Sequence, residues 1–302
     1  MSAPTVVVVG SVNMDLVAKG ERLPVPGETV AGASFTTIPG GKGANQAVAA
    51  ARLGARTAMI ACVGDDVFGE SLTRVLLADE VDCRGVRVVP GSSGVALIVV
   101  DGAGRNGIVV VPGANGQLSP ADVDRNEALL AGARVVALQH EVPFETVEHA
   151  VGRAHALGKL VILNPAPVRP LPPDLVRRID YLVVNEIEAQ ALSGLEVDSA
   201  EGAAAAGRRL REAGAANVLV TLGARGVVTV AAGAEPRHDP APQVKAVDTT
   251  AAGDTFIGGL CAGLVEGQPL PEAVRFAQAA AAISVTRFGA QTSIPRRDEV
   301  VL

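Results

Sequence analysis

Aromatic residues and cysteines are scarce in this chain. None of its 302 residues is tryptophan, and aromatic residues make up only 2%. The three cysteines, Cys62, Cys83 and Cys261, lie far apart with no Cys-x-x-Cys spacing. Their spacing argues against the disulfide framework of a small secreted domain and predicts free, buried thiols in a reducing compartment, the cytoplasm.

Long hydrophobic runs and basic clusters are also missing. No apolar run approaches the length of a membrane span, and Val6–Val9 lacks the positive flank of a signal peptide. The 26 basic residues are scattered and the net charge is −6, so we expect neither a membrane nor a nucleic acid as a partner. The four histidines show no metal-binding spacing, which gives zinc catalysis little support.

Short runs of valine, isoleucine and leucine alternate with alanine-rich stretches along most of the chain. This alternation predicts a three-layer α/β/α sandwich around a mostly parallel sheet, because continuously apolar strands are typical of sheets covered on both faces. We expect a single domain over residues 1–302. The predicted strands are residues 5–9, 57–62, 134–138, 160–163, 181–184 and 217–221. The predicted helices are residues 43–53, 66–78, 144–156, 186–193, 199–213, 252–266 and 271–286.

Two stretches interrupt the alternation of strands and helices, residues 15–38 and 95–111. In the second, two apolar runs flank Asp101-Gly102-Ala103-Gly104, a pattern that predicts a β-hairpin. Neither stretch has a helical partner, so together they predict a small sheet. Ligands of α/β sheets bind at the carboxyl ends of the strands, and we expect the small sheet to act as a lid there.

The segment Val247–Phe256 is the strongest indication of function. A turn of small residues opens an apolar helix, so that backbone N–H groups and the helix dipole favour an anion at its start. Gly253 allows a ligand close to the backbone, and Asp254 places a carboxylate beside the anion. This arrangement suits a hydroxyl that loses its proton as a phosphoryl group arrives. A well-capped helix is the alternative interpretation.

A second glycine cluster, Gly40-Gly41-Lys42-Gly43-Ala44-Asn45, leads into another alanine-rich helix. It differs from a P-loop, in which Ser or Thr follows the lysine. Small residues here let a polyol approach the backbone, and Lys42 and Asn45 could donate hydrogen bonds to its hydroxyls. A glycine-rich turn that only caps a helix is the alternative.

These two clusters, about 200 residues apart, resemble the N-terminal and C-terminal signatures of the PfkB, or ribokinase, family of carbohydrate kinases. The resemblance extends to segments along nearly the whole chain. They are Gly10–Asp15, Gly64–Gly69, Asn164–Pro167, Asn185–Glu188, Thr221–Gly226 and Phe288–Pro295. The family implies a ribokinase-like fold and ATP-dependent phosphorylation of D-ribose at O5 to give D-ribose 5-phosphate. It also implies Mg²⁺, activation by K⁺, and a homodimer formed through the lid.

The resemblance assigns roles to individual residues. Asp254 would be the base that takes the proton from the sugar hydroxyl, and the N–H groups of the preceding turn would hold the developing charge. The residues of that turn are Ala251, Ala252 and Gly253. Asp15 would accept hydrogen bonds from ring hydroxyls. The implied sugar site consists of Asn13, Asp15, Gly41, Lys42, Asn45, Glu141 and Asp254.

For the nucleotide and the cations the resemblance implies two further groups of residues. The nucleotide would contact Asn185, Thr221, Gly223, Gly226, Gly253 and Gln278. Glu188, with Asn185, would organise Mg²⁺ and phosphates, partly through water; a plain helix cap is the alternative for this pair. K⁺ would be held largely by backbone oxygens at Asp248, Thr250, Ser284, Arg287, Gly289 and Ser293. Without the resemblance, Asp248 is an exposed turn carboxylate.

One residue departs from the family pattern, since Ile257 stands where many relatives place asparagine. This departure bears on the choice of sugar more than on the reaction. A kinase for 2-deoxyribose, another sugar or a nucleoside is therefore the alternative within the same class. A non-catalytic sugar- or nucleotide-binding regulator is the alternative from a different class, because a fold does not fix a function.

Overall fold

The computed structural model describes residues 3–301, which form thirteen strands and ten α-helices. The strands are β1 Val6–Val9, β2 Asn13–Gly20, β3 Gly32–Gly40, β4 Thr57–Gly64, β5 Asp82–Val89, β6 Gly94–Val100, β7 Asn106–Val111, β8 Val135–Gln139, β9 Leu160–Asn164, β10 Tyr181–Asn185, β11 Asn217–Thr221, β12 Val227–Val230 and β13 Arg237–Asp239. The helices are α1 Lys42–Arg52, α2 Val67–Ala78, α3 Pro120–Arg125, α4 Glu127–Gly132, α5 Phe144–Ala156, α6 Pro173–Val176, α7 Glu186–Ser193, α8 Ala200–Glu212, α9 Ala252–Glu266 and α10 Leu270–Ser284.

Nine strands form the main sheet, in the order β13-β12-β11-β10-β9-β8-β1-β4-β5. The pairs from β11 to β5 are all parallel, and only β12 and β13 add to the edge in antiparallel fashion. Two hydrophobic clusters of buried residues cover the two faces of the sheet, as expected when consecutive residues of each strand point to opposite sides. The predicted α/β/α sandwich with a mostly parallel sheet is confirmed.

All six predicted strands and all seven predicted helices are present, with ends that shift by at most two residues. Three strands were missed, β5, β12 and β13. β5 reads Asp-Cys-Arg-Gly-Val-Arg-Val-Val and alternates polar with apolar side chains because it lies at the sheet edge. β12 is a run of only four residues and β13 one of three, both too short to give a clear pattern. The short helices α3, α4 and α6 were missed for the same reason.

The small sheet has the order β3-β2-β6-β7. The predicted hairpin is β6 and β7, and its turn is held by the Asp101 carboxylate, which accepts hydrogen bonds from the N–H groups of Ala103 and Arg105 at 2.9 Å. The first segment extends beyond its predicted bounds, from Asn13 to Gly40, whereas the second begins at Gly94 and ends at Val111, as predicted. β7 is solvent-exposed along its whole length although four of its six residues are apolar.

None of the helices within residues 3–301 is long and apolar enough to cross a membrane. The three cysteines are free, and two of them, Cys62 and Cys261, are buried as predicted. Cys83 on the edge strand β5 is only partly buried.

Candidate active site

Close packing of small residues brings the starts of α1 and α9 together. A Cβ at Gly258 in α9 would lie 2.3 Å from the Cβ of Ala49 in α1, so only glycine permits this approach. A Cβ at Gly43 would likewise lie 2.5 Å from the backbone nitrogen of Ser11, which follows β1. Gly43 of the second cluster and Gly258, two residues after Phe256, therefore allow three segments that are far apart in the chain to pack closely.

Asp254 lies at this meeting point in the first turn of α9, with only 6% of its surface exposed. Its carboxylate accepts one hydrogen bond from Asn45 Nδ2 and another from Gln46 Nε2, both at 3.0 Å. Proximity to the Asp254 carboxylate raises the pKa of Lys42, against burial, and the carboxylates of Glu141 and Glu188 add to the effect. Lys42 therefore stays charged among these acidic groups.

Glu141 and Asp15 complete the acidic side of the site. Glu141 Oε2 accepts hydrogen bonds from Ser11 Oγ at 2.6 Å and from the Lys42 N–H at 3.0 Å. Burial, with a contribution from the Glu141 charge, raises the pKa of Asp15 to about 7. Because the charge of Glu141 acts on both Asp15 and Lys42, the three side chains share one electrostatic environment.

Asn13 begins β2 of the small sheet, and Gly41 joins β3 to α1. Asn13 Oδ1 accepts a hydrogen bond of 2.6 Å from Asn115 Nδ2, and Gly41 has a φ of 89° directly before α1. A Cβ at Gly41 would lie 2.8 Å from the Asn13 backbone nitrogen. The structure thus brings the sugar-site residues predicted from the sequence together. We call Asn13, Asp15, Lys42, Asn45, Glu141 and Asp254 the polar cluster.

The turn of residues 249–253 has the strained backbone expected of an anion-binding turn. Ala251 adopts φ 59° and ψ 11°, a left-handed conformation that is costly for a residue with a Cβ. The N–H groups of Gly253 and Asp254 lie in the first turn of α9, where no intrahelical acceptor exists. The Ala252 N–H, in contrast, donates to Thr249 O at 3.2 Å. Of the three predicted donors, that of Ala252 is therefore engaged within the turn.

A cleft of about 250 Å³ opens beside this turn, between β11 and α10. Thr221, Gly223, Gly226, Gly253 and Gln278 line it, so five of the six residues predicted for the nucleotide come together. We call it the apolar cleft, since most of its other lining atoms are hydrocarbon. The lining also includes Ala224, Val227, Pro242, Val244, Ala246, Phe256, Ala281 and Val285.

Asn185 does not line this cleft; with Glu188 it forms a reciprocal helix cap at the start of α7. Glu188 N–H donates to Asn185 Oδ1 at 2.8 Å, and the Glu188 carboxylate accepts from Asn185 N and Nδ2, both at 3.0 Å. Asn164 Nδ2 lies 3.4 Å from Glu188 Oε2. The capping geometry considered as the alternative is thus present. Glu188 is nevertheless close enough to Lys42 to contribute to its raised pKa.

Asp248 joins the turn to the C-terminal loop. Its carboxylate accepts hydrogen bonds from Thr250 N–H at 2.9 Å, Thr250 Oγ1 at 2.6 Å and Gly289 N–H at 2.9 Å. Burial alone would raise the pKa of Asp248, but these hydrogen bonds and the charge of Lys19 outweigh it and hold the pKa below its usual value. Asp248 therefore remains an anion at neutral pH.

The other residues predicted for K⁺ lie around this loop. The hydroxyls of Ser284 and Ser293 are buried and donate to the carbonyls of Ala281 and Ala290, both at 2.8 Å. The Arg287 side chain forms an ion pair with Glu299. Residues 3–301 contain no group of three or more His, Cys, Asp or Glu side chains placed to hold a metal ion.

The profile of the pfkB family carbohydrate kinases matches residues 3–297, and thus almost the whole chain. The chain belongs to the pfkB family. Both glycine clusters and Asp254 lie within the matched range, so the polar cluster and the turn are parts of a pfkB domain.

Relatives within the pfkB family include two kinds of kinase. The ribokinase of Haemophilus influenzae is 42% identical over 298 residues, which cover 98% of the chain and 97% of that protein. The deoxyribokinase of Salmonella typhimurium is 40% identical over 292 residues, which cover 96% of the chain and 95% of that protein. Overall identity therefore does not decide between these two sugars.

Solved structures of the family match the fold closely. Arabidopsis thaliana ribokinase complexed with ribose and ATP gives a TM-score of 0.92 at 34% identity, covering 99% of the chain and 97% of that protein. An E. coli protein in complex with ATP and Mg²⁺ gives a TM-score of 0.83 at 25% identity, covering 99% and 98%.

Sequence reasoning missed three polar residues of the site, Gln46, Gln139 and Asn115. Gln46 donates a hydrogen bond to Asp254 and accepts one from Gln139. Asn115 donates a hydrogen bond to Asn13. A glutamine that ends a fully apolar strand, as Gln139 ends β8, is a signal that could have been noticed. The apolar lining of the cleft carries no motif, so only the folded chain reveals it.

Proposed function

We propose that this pfkB-family chain is an ATP-dependent ribokinase, which phosphorylates D-ribose at O5 to give D-ribose 5-phosphate. One observation carries the proposal: the Asp254 carboxylate lies at the border between the polar cluster and the turn beside the apolar cleft. A sugar in the polar cluster and a nucleotide in the cleft would meet at this residue. Whole-length similarity to curated ribokinases supports the choice of substrates.

The proposed reaction needs one proton transfer and one phosphoryl transfer. Asp254 takes the proton from the O5 hydroxyl of ribose as O5 forms a bond to the γ-phosphorus of ATP, and the bond from that phosphorus to the bridging oxygen of ADP breaks. The free N–H groups at the start of α9 stabilise the negative charge on the transferred group. Lys42 adds a positive charge on the sugar side.

Mg²⁺ would enter with ATP and neutralise charge on its phosphates. The chain offers it few direct ligands, because the carboxylate of Glu188 already accepts hydrogen bonds from Asn185. We infer that Glu188 and Asn185 act on the hydrated ion through water. K⁺ would bind beside Asp248, whose ionised carboxylate and the neighbouring backbone oxygens of the C-terminal loop suit a monovalent cation.

We also propose a homodimer in which the small sheet acts as a lid and packs against its counterpart. Phe35, Leu97 and Val109 share one face of this sheet, and Ile108 and Val110 share the other. Each is at least 45% exposed, so both faces present apolar side chains to water in a single chain. Analytical ultracentrifugation should give twice the chain mass, and Ile108→Glu should shift it to the single-chain mass. A single-chain mass for the wild type would refute the dimer. The cysteine content favours a cytoplasmic location, and we treat residues 1–302 as one kinase domain.

The direct test is incubation of the wild type with ATP, Mg²⁺ and D-ribose, with ADP release measured and the phosphate position assigned by NMR. We expect one ADP per phosphorylated sugar and phosphate on O5 only. Faster turnover with K⁺ than with tetramethylammonium, lost in Asp248→Asn, would support the cation site. No turnover of ribose, 2-deoxyribose, fructose or nucleosides, with binding retained, would favour the regulator.

A further inference from the structure

Two buried glutamines extend inward from the Asp254 carboxylate. Gln46 Nε2 donates to Asp254 Oδ1 at 3.0 Å, and Gln139 Nε2 donates to Gln46 Oε1 at 2.5 Å. Gln139 is fully buried and Gln46 is 1% exposed. The three side chains come from β8, α1 and α9, so this chain of hydrogen bonds links the main sheet to the base.

The chemistry of the groups fixes the direction of every hydrogen bond in this chain. An ionised carboxylate only accepts, so Gln46 must direct its NH₂ group at Asp254. The carbonyl oxygen of Gln46 then faces Gln139, which must present its own NH₂ group. The Oε1 atom of Gln139 is left against Gly10, where a Cβ would lie only 2.0 Å away. Gly10 therefore provides the space for the end of the Gln139 side chain, where Oε1 is buried without a hydrogen-bond partner among the described residues.

Without Gln139, the Asp254 carboxylate alone would orient the Gln46 amide, and the buried Gln46 carbonyl would lose its donor. Rotation by half a turn would place Gln46 Oε1 against Asp254 Oδ1, and two acceptors at that distance repel each other. The carboxylate would then keep only the hydrogen bond from Asn45 Nδ2. Buried amides tolerate few such losses, because water is not present to replace a missing donor.

We infer that Gln139 is a positioning residue of the kinase reaction, which acts through Gln46 to keep an N–H group directed at the Asp254 carboxylate. The inference rests on the proposed function, since it concerns the same base. Gln139 itself has no contact with the sugar or nucleotide sites. Its effect on catalysis must therefore pass through Gln46, and this dependence can be measured.

The test compares Gln139→Leu, Gln46→Leu and the double variant by the pH dependence of kcat at saturating ribose, because kcat reports the complex and not the titration of Asp15 in the free protein. A carboxylate that loses a donor binds its proton more tightly, so the acidic limb of the profile should move to higher pH, by about one unit in Gln46→Leu. The plateau of kcat should fall about tenfold or more. Gln139→Leu should move the limb in the same direction, and adding it to Gln46→Leu should cause no further change.

Thr146→Val is the matched structural control. Thr146 is fully buried in α5 and donates to Leu118 O at 2.8 Å, away from the site, so its loss should lower Tm without moving the pH profile. If Gln139→Leu does not fold, Gln139→Met keeps a similar size and cannot donate to Gln46 Oε1, and the same shift is expected.

Two results would overturn the inference: an unmoved acidic limb in a folded Gln139 variant, or an equal loss from Gln139→Leu with and without Gln46. The wild type and Thr146→Val distinguish failure of the proposed function from failure of the inference. If wild type and Thr146→Val both lack kinase activity, the function fails; if both are active and the glutamine variants match them, only the inference fails.

Discussion

The polar cluster and the apolar cleft meet at the start of α9, where Asp254 belongs to the cluster and Gly253 lines the cleft, and they are built in different ways. The polar cluster uses buried charged and amide side chains, among them Lys42, Asn45 and Glu141. The apolar cleft uses glycines, hydrocarbon side chains and the backbone of the turn. If the two regions bind sugar and nucleotide as proposed, recognition of the sugar depends on particular side chains, whereas recognition of the nucleotide depends on shape and on backbone N–H groups.

A carboxylate of the polar cluster and one outside the site differ in how they affect stability. Burial and Glu141 raise the pKa of Asp15 in the polar cluster to about 7. Asp122 lies far from the site; burial there is outweighed by hydrogen bonds from Arg87 and Ser119, and its pKa is held at about 2. The ionised Asp122 carboxylate stabilises the fold. The ionised Asp15 carboxylate is unfavourable in the unliganded protein, and we expect hydrogen bonds from a bound sugar to stabilise it.

Asp254→Asn should have the largest effect, because it removes the base at the border of the two regions. We expect kcat for ribose phosphorylation to fall by about two to four decades, with ribose and ATP still bound. Steady-state kinetics and calorimetric titration would measure both. Asp122→Asn is the control, since it should lower Tm and leave kcat unchanged; equal losses in both variants would remove Asp254 from the chemistry.

Asp15→Asn tests the polar cluster. The KM for ribose should rise about ten- to a hundredfold, because the charged acceptor is lost. In the wild type this KM should rise as the pH falls below about 7, following the raised pKa, and in Asp15→Asn the pH dependence should disappear. Asp101→Asn, in the same small sheet, should leave the KM unchanged.

The same variant should be more stable than the wild type at pH 8. The folded protein binds the proton of Asp15 more tightly than the unfolded chain does, so wild-type stability falls as the pH rises from about 4 to 7. The substitution relieves this cost, and we expect a rise in Tm on the order of 2–4 °C at pH 8 that vanishes toward pH 4. A lower Tm for Asp15→Asn than for the wild type at pH 8 would show that the charged form of Asp15 does not destabilise the fold.

Gly253→Ala tests the backbone character of the apolar cleft. A Cβ there meets no atom within 4 Å, so the fold should accept it, but the methyl group would stand where the phosphates approach. We expect kcat/KM for ATP to fall about tenfold with the KM for ribose and Tm unchanged. Gly107→Ala, in equally open space on β7, should change neither; an unaffected Gly253→Ala would mean that the nucleotide does not use this turn.

Asp122→Asn should give the smallest effect, confined to stability in acid. The folded pKa lies below the unfolded value, so Asp122 stabilises the protein above about pH 4 and loses this contribution as the pH falls toward 2. The contribution is on the order of 2 kcal/mol. Urea unfolding at pH 7 and pH 3 should show a smaller difference between the two pH values for the variant than for the wild type.

The sequence predicts the fold well because its apolar runs match buried parallel strands such as β1 and β8. It fails at β5, β12 and β13, where strands at the sheet edge are short or carry charges. In the site, the glycine clusters and Asp254 belong to sequence motifs and could be predicted from them. Gln46, Gln139 and the hydrocarbon lining around Phe256 act through contacts between distant segments, which a linear pattern does not contain.

The most direct test of the account is competition between D-ribose and 2-deoxy-D-ribose for the wild type, measured as the ratio of their kcat/KM values. The two sugars differ by one hydroxyl group. If polar groups of the cluster form hydrogen bonds to this hydroxyl, they lose their partner when 2-deoxyribose binds. The account predicts that ribose is preferred by more than about tenfold. Equal use of both sugars, or a preference for 2-deoxyribose, would contradict the assignment of ribose as the substrate.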